Sequence, residues 1–184
     1  MEKEDNDLIK ECLKGNEEAF KELINKYTGI IFNFSVRFVG LDYANDITQD
    51  VFIKIWKNIK KYNEKKANFK TWLFTITRNT ITDYLRKKKT VNFSTLDSKE
   101  ERYEDNIEDE VILPDEILIK LEDKELLNKL LDKLPGDYKE VLILYYQEDL
   151  TFKEIGEILN KPLNTVKSHH YRALALLRVE LNKT

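Results

Sequence analysis

Apolar residues recur along this chain at intervals of three and four, the spacing of helices that each bury one stripe. Leu8 to Lys14 reads as a short helix closed by Gly15, and Asn16 followed by Glu17 and Glu18 reads as the capped start of the next. That second helix carries Ala19, Phe20, Leu23, Ile24 and Tyr27, then Ile31, Phe34 and Phe38, with a bend expected at Thr28-Gly29 and a stop at Gly40. From Tyr43 to Tyr62 the predicted buried stripe is Ile47, Val51, Phe52, Ile55, Trp56 and Ile59. Asp46, Gln49, Asp50 and Lys54 point away from it, as a docking surface or as a solvated face. The polar stretch 63–68 connects to a helix over Phe69 to Lys89. There Phe69, Leu73, Phe74, Ile76, Ile81, Tyr84 and Leu85 fall on one side, and Thr71, Thr75, Arg78, Asn79, Thr82, Arg86 and Lys89 on the other.

Val91 to Pro114 has weak periodicity and many acids, which reads as a flexible linker and a domain boundary. Helical spacing returns from Asp115 through Leu131, stops at Leu134-Pro135-Gly136, and resumes over Asp137 to Gln147. No strand-like alternation occurs. The expected fold is all-α: two small helical domains, 1–89 and 117–184, joined by an acidic linker over 90–116.

The closing stretch predicts a helix-turn-helix. Thr151 and Glu154 form a capping box, and Gly156 leaves room for another helix. Asn160 suits a left-handed turn position, and Pro162 stops the first helix from continuing. The second helix starts at Asn164 or Thr165, with Val166, His170, Ala173, Leu174, Leu177 and Leu181 as its core stripe. Thr165, Ser168, His169 and Arg172 face outward, with Lys167 at the flank. In such a pair the second helix enters the major groove by its N-terminal residues. Arg172 suits a bidentate guanine contact, and Ser168 and Thr165 suit bases or phosphates. His170, on the apolar stripe, is expected as a hydrogen-bonded core histidine. The two histidines diverge by about 100° on a helix and make a poor chelate.

Charge sharpens the picture. The net charge is −3, yet Phe69 to Lys89 carries six bases against one acid, and Asp97 to Glu116 carries ten acids against two bases. Local patches steer partners more than the total does. Hydroxyls, an amide and guanidiniums in one row on the basic helix suit phosphates and base edges; a solvated face over a core stripe is the alternative. The single cysteine, Cys12, excludes an internal disulfide and any Cys-based zinc site, and its apolar neighbours predict a buried thiol. No cofactor, metal or small-molecule site is legible: there is no Gly-rich phosphate loop and no Ser/His/Asp or Cys/His set. The acidic N-terminus is no signal peptide and the apolar runs are too short to span a bilayer, so a cytoplasmic, non-enzymatic protein is expected.

Three stretches, DITQDVFIKIW, FKTWLFTITRNTITDYLRKKK and LTFKEIGEILNKPLNTVKSHHYRAL, resemble in order the RNA polymerase sigma-70 superfamily, specifically its extracytoplasmic-function (ECF) group. The resemblance implies a sigma-2-like domain before the linker and a sigma-4-like domain after it. It implies that Asp46, Gln49, Asp50 and their neighbour Lys54 dock on the β′ clamp helices of core RNA polymerase. It places Lys65, Lys66, Asn68 and Phe69 in a loop that captures a flipped base of the −10 element. Trp72, Arg78, Asn79, Thr82 and Arg86 would face −10 DNA, Asp83 orienting the basic neighbours. Thr165, Lys167, Ser168, His169 and Arg172 would read the −35 element. The helices before them would meet the β-flap, the acidic linker would thread the polymerase's active-site and RNA-exit path, and an anti-sigma factor would regulate the whole. His169 stands where many relatives carry arginine. A conventional helix-turn-helix regulator, dimeric and acting without the polymerase, is the competing expectation.

Overall fold

The computed structural model describes residues 4–91 and 124–181. They fall into two compact units, before and after the undescribed stretch, and every regular element among the described residues is helical. The expected linker beyond Val91, the segment Asp115–Asp123 and the first and last three residues lie outside them, while Thr90 and Val91 belong to the preceding helix.

In the first unit α1 spans Asp5–Leu13, α2 Glu17–Val39, α3 Leu41–Asn58 and α4 Phe69–Val91, with a 3-10 turn at Ile59–Lys61. The breaks fall where local chemistry dictates. Gly15 takes φ of +89° after α1, and Asn16 Oδ1 accepts from the N–H groups of Glu18 (3.1 Å) and Ala19 (3.4 Å) to cap α2. Gly40, at φ +81°, turns the chain within one residue into α3. The expected bend at Thr28-Gly29 does not interrupt α2, which runs on through Val39 while Thr28 Oγ1 donates back to the Ile24 carbonyl (2.6 Å).

The core of this unit is a contiguous aliphatic and aromatic mass. Leu8, Ile9 and Cys12 from α1 are buried, as are Leu23, Ile31 and Phe34 from α2, Ile47, Val51 and Ile55 from α3, and Leu73 and Phe74 from α4. Phe34 and Phe74 meet edge to face at 5.1 Å, which locks α2 against α4. The Cys12 thiol is buried, as its neighbours predict, and burial pushes its pKa up.

The second unit comprises α5 (Lys124–Leu131), α6 (Gly136–Tyr146), α7 (Phe152–Leu159) and α8 (Leu163–Leu181). Leu130, Leu131, Val141, Leu142 and Leu144 are buried with Val166, Ala173, Leu174 and Leu177 of α8. The capping box forms as the sequence predicts. The Thr151 N–H donates to Glu154 Oε2 (2.8 Å), and the Glu154 N–H donates to Thr151 Oγ1 (3.3 Å). Asn160 takes φ of +52°, the left-handed turn position. None of the described helices is long and apolar enough to cross a membrane.

Candidate nucleic-acid interface

The basic helix α4 buries a different side from the one its apolar residues alone suggest. Phe69, Leu73, Phe74 and Ile81 are buried, but so are Thr71, Thr77 and Thr80, while Ile76, Tyr84 and Leu85 stay half exposed. The reason is local. Thr77 Oγ1 donates to the Leu73 carbonyl (2.9 Å) and Thr80 Oγ1 to the Ile76 carbonyl (2.8 Å). A threonine satisfied within its own helix packs much as valine does. Thr75 does likewise with the Thr71 carbonyl (2.9 Å). Of the three threonines expected on the polar face, Thr71 is buried with its hydroxyl unpaired, Thr75 is half-buried and Thr82 is exposed.

What remains in the open is narrower and better aligned. Trp72, Thr75, Asn79, Thr82 and Arg86 follow one another at three- and four-residue steps, and the last three are exposed. The row spans about 21 Å of helix, roughly six base steps of a nucleic-acid strand. Half-buried Arg78 lies beside it, and Arg86 pairs with Asp83 at 3.1 Å, as expected of an acid that orients a basic neighbour. Toward the C-terminal end Lys88 sits 4.7 Å from the ring centre of Tyr43.

The loop 63–68 leads into this row. Its backbone is braced on Asn63, whose Oδ1 accepts from Lys65 N–H (3.0 Å) and whose carbonyl accepts from Lys66 N–H (3.0 Å). Asn68 Oδ1 accepts from Thr71 N–H (2.7 Å) and so caps α4. Lys65, Lys66 and Asn68 are exposed. Phe69 is a correction: it is 3% exposed, packed beneath the loop against Tyr27 (5.5 Å), Tyr62 (5.7 Å) and Trp72 (5.8 Å), and presents no ring to a ligand.

On α3, Asp46, Gln49 and Asp50 are exposed as expected. Lys54 is not on that face: half-buried, it donates to Thr80 Oγ1 (3.0 Å) and ties α3 to α4. Phe52 and Trp56, assigned from spacing to the buried stripe, instead line an open apolar groove of about 410 Å3 with Phe20, Ile24 and Ile53, and Glu17 at its rim. Trp56 is 45% exposed and Ile53 50%. The run VFIKIW holds more apolar side chains than a single stripe can cover, the one signal that pointed to this groove.

In the helix-turn-helix, Gly156 is needed for a close approach. A Cβ there would stand 2.9 Å from the Lys161 carbonyl oxygen and 3.8 Å from Val166 Cγ2. The Lys161 N–H in turn donates to the Gly156 carbonyl (3.0 Å), and its ammonium pairs with Asp137 of α6, so the turn is tied at both ends. Lys167 is exposed; Thr165, Ser168 and Arg172 are half-buried along one row of α8. His169 is half-buried like Ser168 and Arg172 on the same row. Its ring packs 5.0 Å from Tyr138 of α6, its Nδ1 is buried without a hydrogen-bond partner, and burial first, then Lys161, hold its pKa below the usual value. A neutral, half-buried ring there makes a weaker phosphate contact than a cationic side chain would. His170 is the core histidine its position predicts: Nε2 lies 3.2 Å from the Tyr146 hydroxyl, and burial lowers its pKa to about 4. Tyr145, Tyr146, Phe152 and Tyr171 surround it at 4.9–5.6 Å.

Two helical units each display a polar row on one helix, and one of them contains a helix-turn-helix, a form that suits DNA contact. Known sequences make this specific. Residues 23–91 match the model of Sigma-70 region 2, and residues 124–177 that of Sigma-70, region 4. The chain is 34% identical to the ECF RNA polymerase sigma factor SigW of Bacillus subtilis, over 94% of each chain. It is 27% identical to the ECF RNA polymerase sigma-E factor of Escherichia coli, over 92% of this chain and 90% of that one. Two solved structures share the fold. CnrH, in complex with the cytosolic domain of CnrY, superposes with a TM-score of 0.68 at 22% identity over 97% of both chains. The sigma factor RpoE of Bartonella quintana, bound to the anti-sigma factor NepR, gives 0.67 at 23% identity over 89% of this chain and 96% of that one. The chain belongs to the ECF group of RNA polymerase sigma factors.

Proposed function

We propose that this chain is an alternative sigma factor that joins core RNA polymerase and directs it to promoters carrying particular −10 and −35 elements. The observation that carries the proposal is the exposed row on α4, with the braced loop 63–68 at its entry and exposed Asp46, Gln49 and Asp50 on the neighbouring α3. Loop residues Lys65, Lys66 and Asn68 would receive an unstacked base, and Trp72, Arg78, Asn79, Thr82 and Arg86 would hold the strand around it. Base flipping costs a few kcal/mol, so contacts made only to the flipped base offset that cost and select the sequence.

On α8 the −35 contacts would come from Thr165, Lys167, Ser168 and Arg172, with His169 serving chiefly to pack α8 on α6. Asp46, Gln49 and Asp50 would meet the β′ clamp helices, with Ile53 and Trp56 adding apolar area on the same side of α3. The second unit would meet the β-flap, and an anti-sigma partner would compete for these surfaces. The chain would act in the cytoplasm and supply no catalytic group; RNA synthesis would belong to the polymerase.

The test is in-vitro transcription with purified core polymerase on a library of the source genome, with start sites mapped. Initiation at a set of promoters sharing two spaced elements is expected. Failure to initiate anywhere above core polymerase alone would end the proposal.

A further inference from the structure

The first turn of α1 reaches the aromatic residues on which the loop 63–68 stands. Tyr62 and Phe69 flank that loop and meet edge to face at 5.7 Å, so the loop is closed at its base by a ring pair. Trp72 packs against both, 5.4 Å from Tyr62 and 5.8 Å from Phe69. Phe69 is also met edge-on by Tyr27 of α2 at 5.5 Å. Both tyrosines then end on α1. The Tyr62 hydroxyl donates to Asn6 Oδ1 (3.2 Å), and the Tyr27 hydroxyl donates to an Asp5 carboxylate oxygen whose partner oxygen accepts from Lys26 Nζ (2.8 Å). Burial raises the pKa of both phenols, Tyr27 the further, so they remain protonated donors at neutral pH.

Stability alone does not require this arrangement. Leu8, Ile9 and Cys12 already bury α1 in the core. The polar residues of its first turn add directional bonds to the two rings that flank Phe69 from either side. Neither Asp5 nor Asn6 lies in the loop or on the α4 row.

The geometry points to Asp5 and Asn6 as positioning residues for base capture: α1 is a latch that fixes the aromatic seat of the loop 63–68. This rests on the reading of that loop as the receiver of a flipped −10 base. Tyr62 has two rotatable side-chain bonds, and the Asn6 contact selects one placement of its ring, hence one placement of Asn63 next to it and of Phe69 across from it. Releasing the hydroxyl leaves the rings packed but frees the seat to shift, and a site that recognises one base loses discrimination from displacements well below 1 Å.

The experiment uses holoenzyme assembled from the full chain and core polymerase. The probe is a fluorescent single-stranded oligonucleotide carrying the −10 element of a mapped promoter, together with copies bearing an abasic site at each position in turn. Wild type is expected to lose affinity sharply at one position. Tyr62→Phe, which keeps the ring and deletes only the hydroxyl, and Asn6→Ala are each expected to weaken binding of the intact probe about three- to tenfold. Neither should alter binding of the probe abasic at that position, and the double variant should lose no more than either single one. General loosening of the unit would weaken both probes equally and leave their ratio unchanged. A variant ratio equal to that of wild type overturns the latch while the capture site stands. A wild-type holoenzyme indifferent to every abasic position overturns base capture, and the latch with it. Should Asn6→Ala misfold, the Tyr62→Phe ratio alone decides.

Discussion

Replacing Gly156 by alanine tests whether the turn of the helix-turn-helix is set by backbone proximity. Ordinarily the change favours a helix by about 1 kcal/mol. Here the new methyl would lie 2.9 Å from the Lys161 carbonyl oxygen, inside van der Waals contact with backbone. That carbonyl cannot swing away freely, since the Lys161 N–H is bonded to the Gly156 carbonyl at 3.0 Å and its ammonium is held by Asp137. Overpacking of this kind costs about 1–3 kcal/mol, and loosening the reciprocal hydrogen bond a further 0.5–1.5 kcal/mol or so. The expected balance is a loss of about 2 kcal/mol, or roughly 10 °C in the melting of a unit this size. Because Pro162 and the turn aim α8, promoter binding by the holoenzyme should fall as well, on templates that depend on their −35 element. Calorimetry of the full chain and transcription from templates with and without that element would measure both. A Gly156→Ala chain that melts at or above the wild-type temperature refutes the reasoning.

Other perturbations follow from the packing of the two units. Lys54→Met and Thr80→Val should each destabilise the first unit by about 1 kcal/mol, and the double variant by less than their sum, since the 3.0 Å bond between them is shared; urea titrations of the four chains give the coupling. Burial holds the folded pKa of His170 near 4 against an ordinary 6.5, so the unfolded chain binds more protons between those values. Stability of the second unit is accordingly full above about pH 6.5 and declines as pH falls toward 4, and His170→Phe should flatten that decline in melts taken across the range. Arg172→Ala should cost about 1–3 kcal/mol of −35 discrimination, whereas Lys167→Ala should weaken all sequences alike and lower the salt dependence of binding, both readable from holoenzyme titrations.

Boundaries were legible where one residue settles a backbone group: Asn16, Gly40, Asn160 and the Thr151–Glu154 pair stand as their chemistry predicts. Sides of helices were harder to read. Thr77 and Thr80 count as polar in any pattern, yet a hydroxyl bonded to its own helix presents only a methyl and a methine to its neighbours. That shift turned Ile76 and Leu85 toward half exposure. On α3 the opposite error arose. Phe52 and Trp56 share the apolar spacing of Val51 and Ile55, but spacing cannot say how many neighbours a helix has, and α2 covers only part of that breadth. The packing of His169 against the Tyr138 ring left no signal in the sequence, since that ring lies on another helix. For the candidate site, the exposed row on α4 was visible in outline from the residues, and the roles proposed for its loop and for α8 came from the family resemblance; the seat beneath the loop was invisible, since Asn6, Tyr27 and Tyr62 are far apart in sequence.

If the groove lined by Phe20, Ile24, Phe52, Ile53 and Trp56 meets core polymerase as proposed, the chain has two attachments that respond oppositely to ions. Contact through hydrocarbon surface persists, or tightens, as sulfate or other excluded salts accumulate, while grip on phosphates slackens steeply with every cation released. A modest rise in ionic strength would therefore strip the promoter from the complex before it strips this subunit from its enzyme, leaving a loaded machine ready to re-engage the next site.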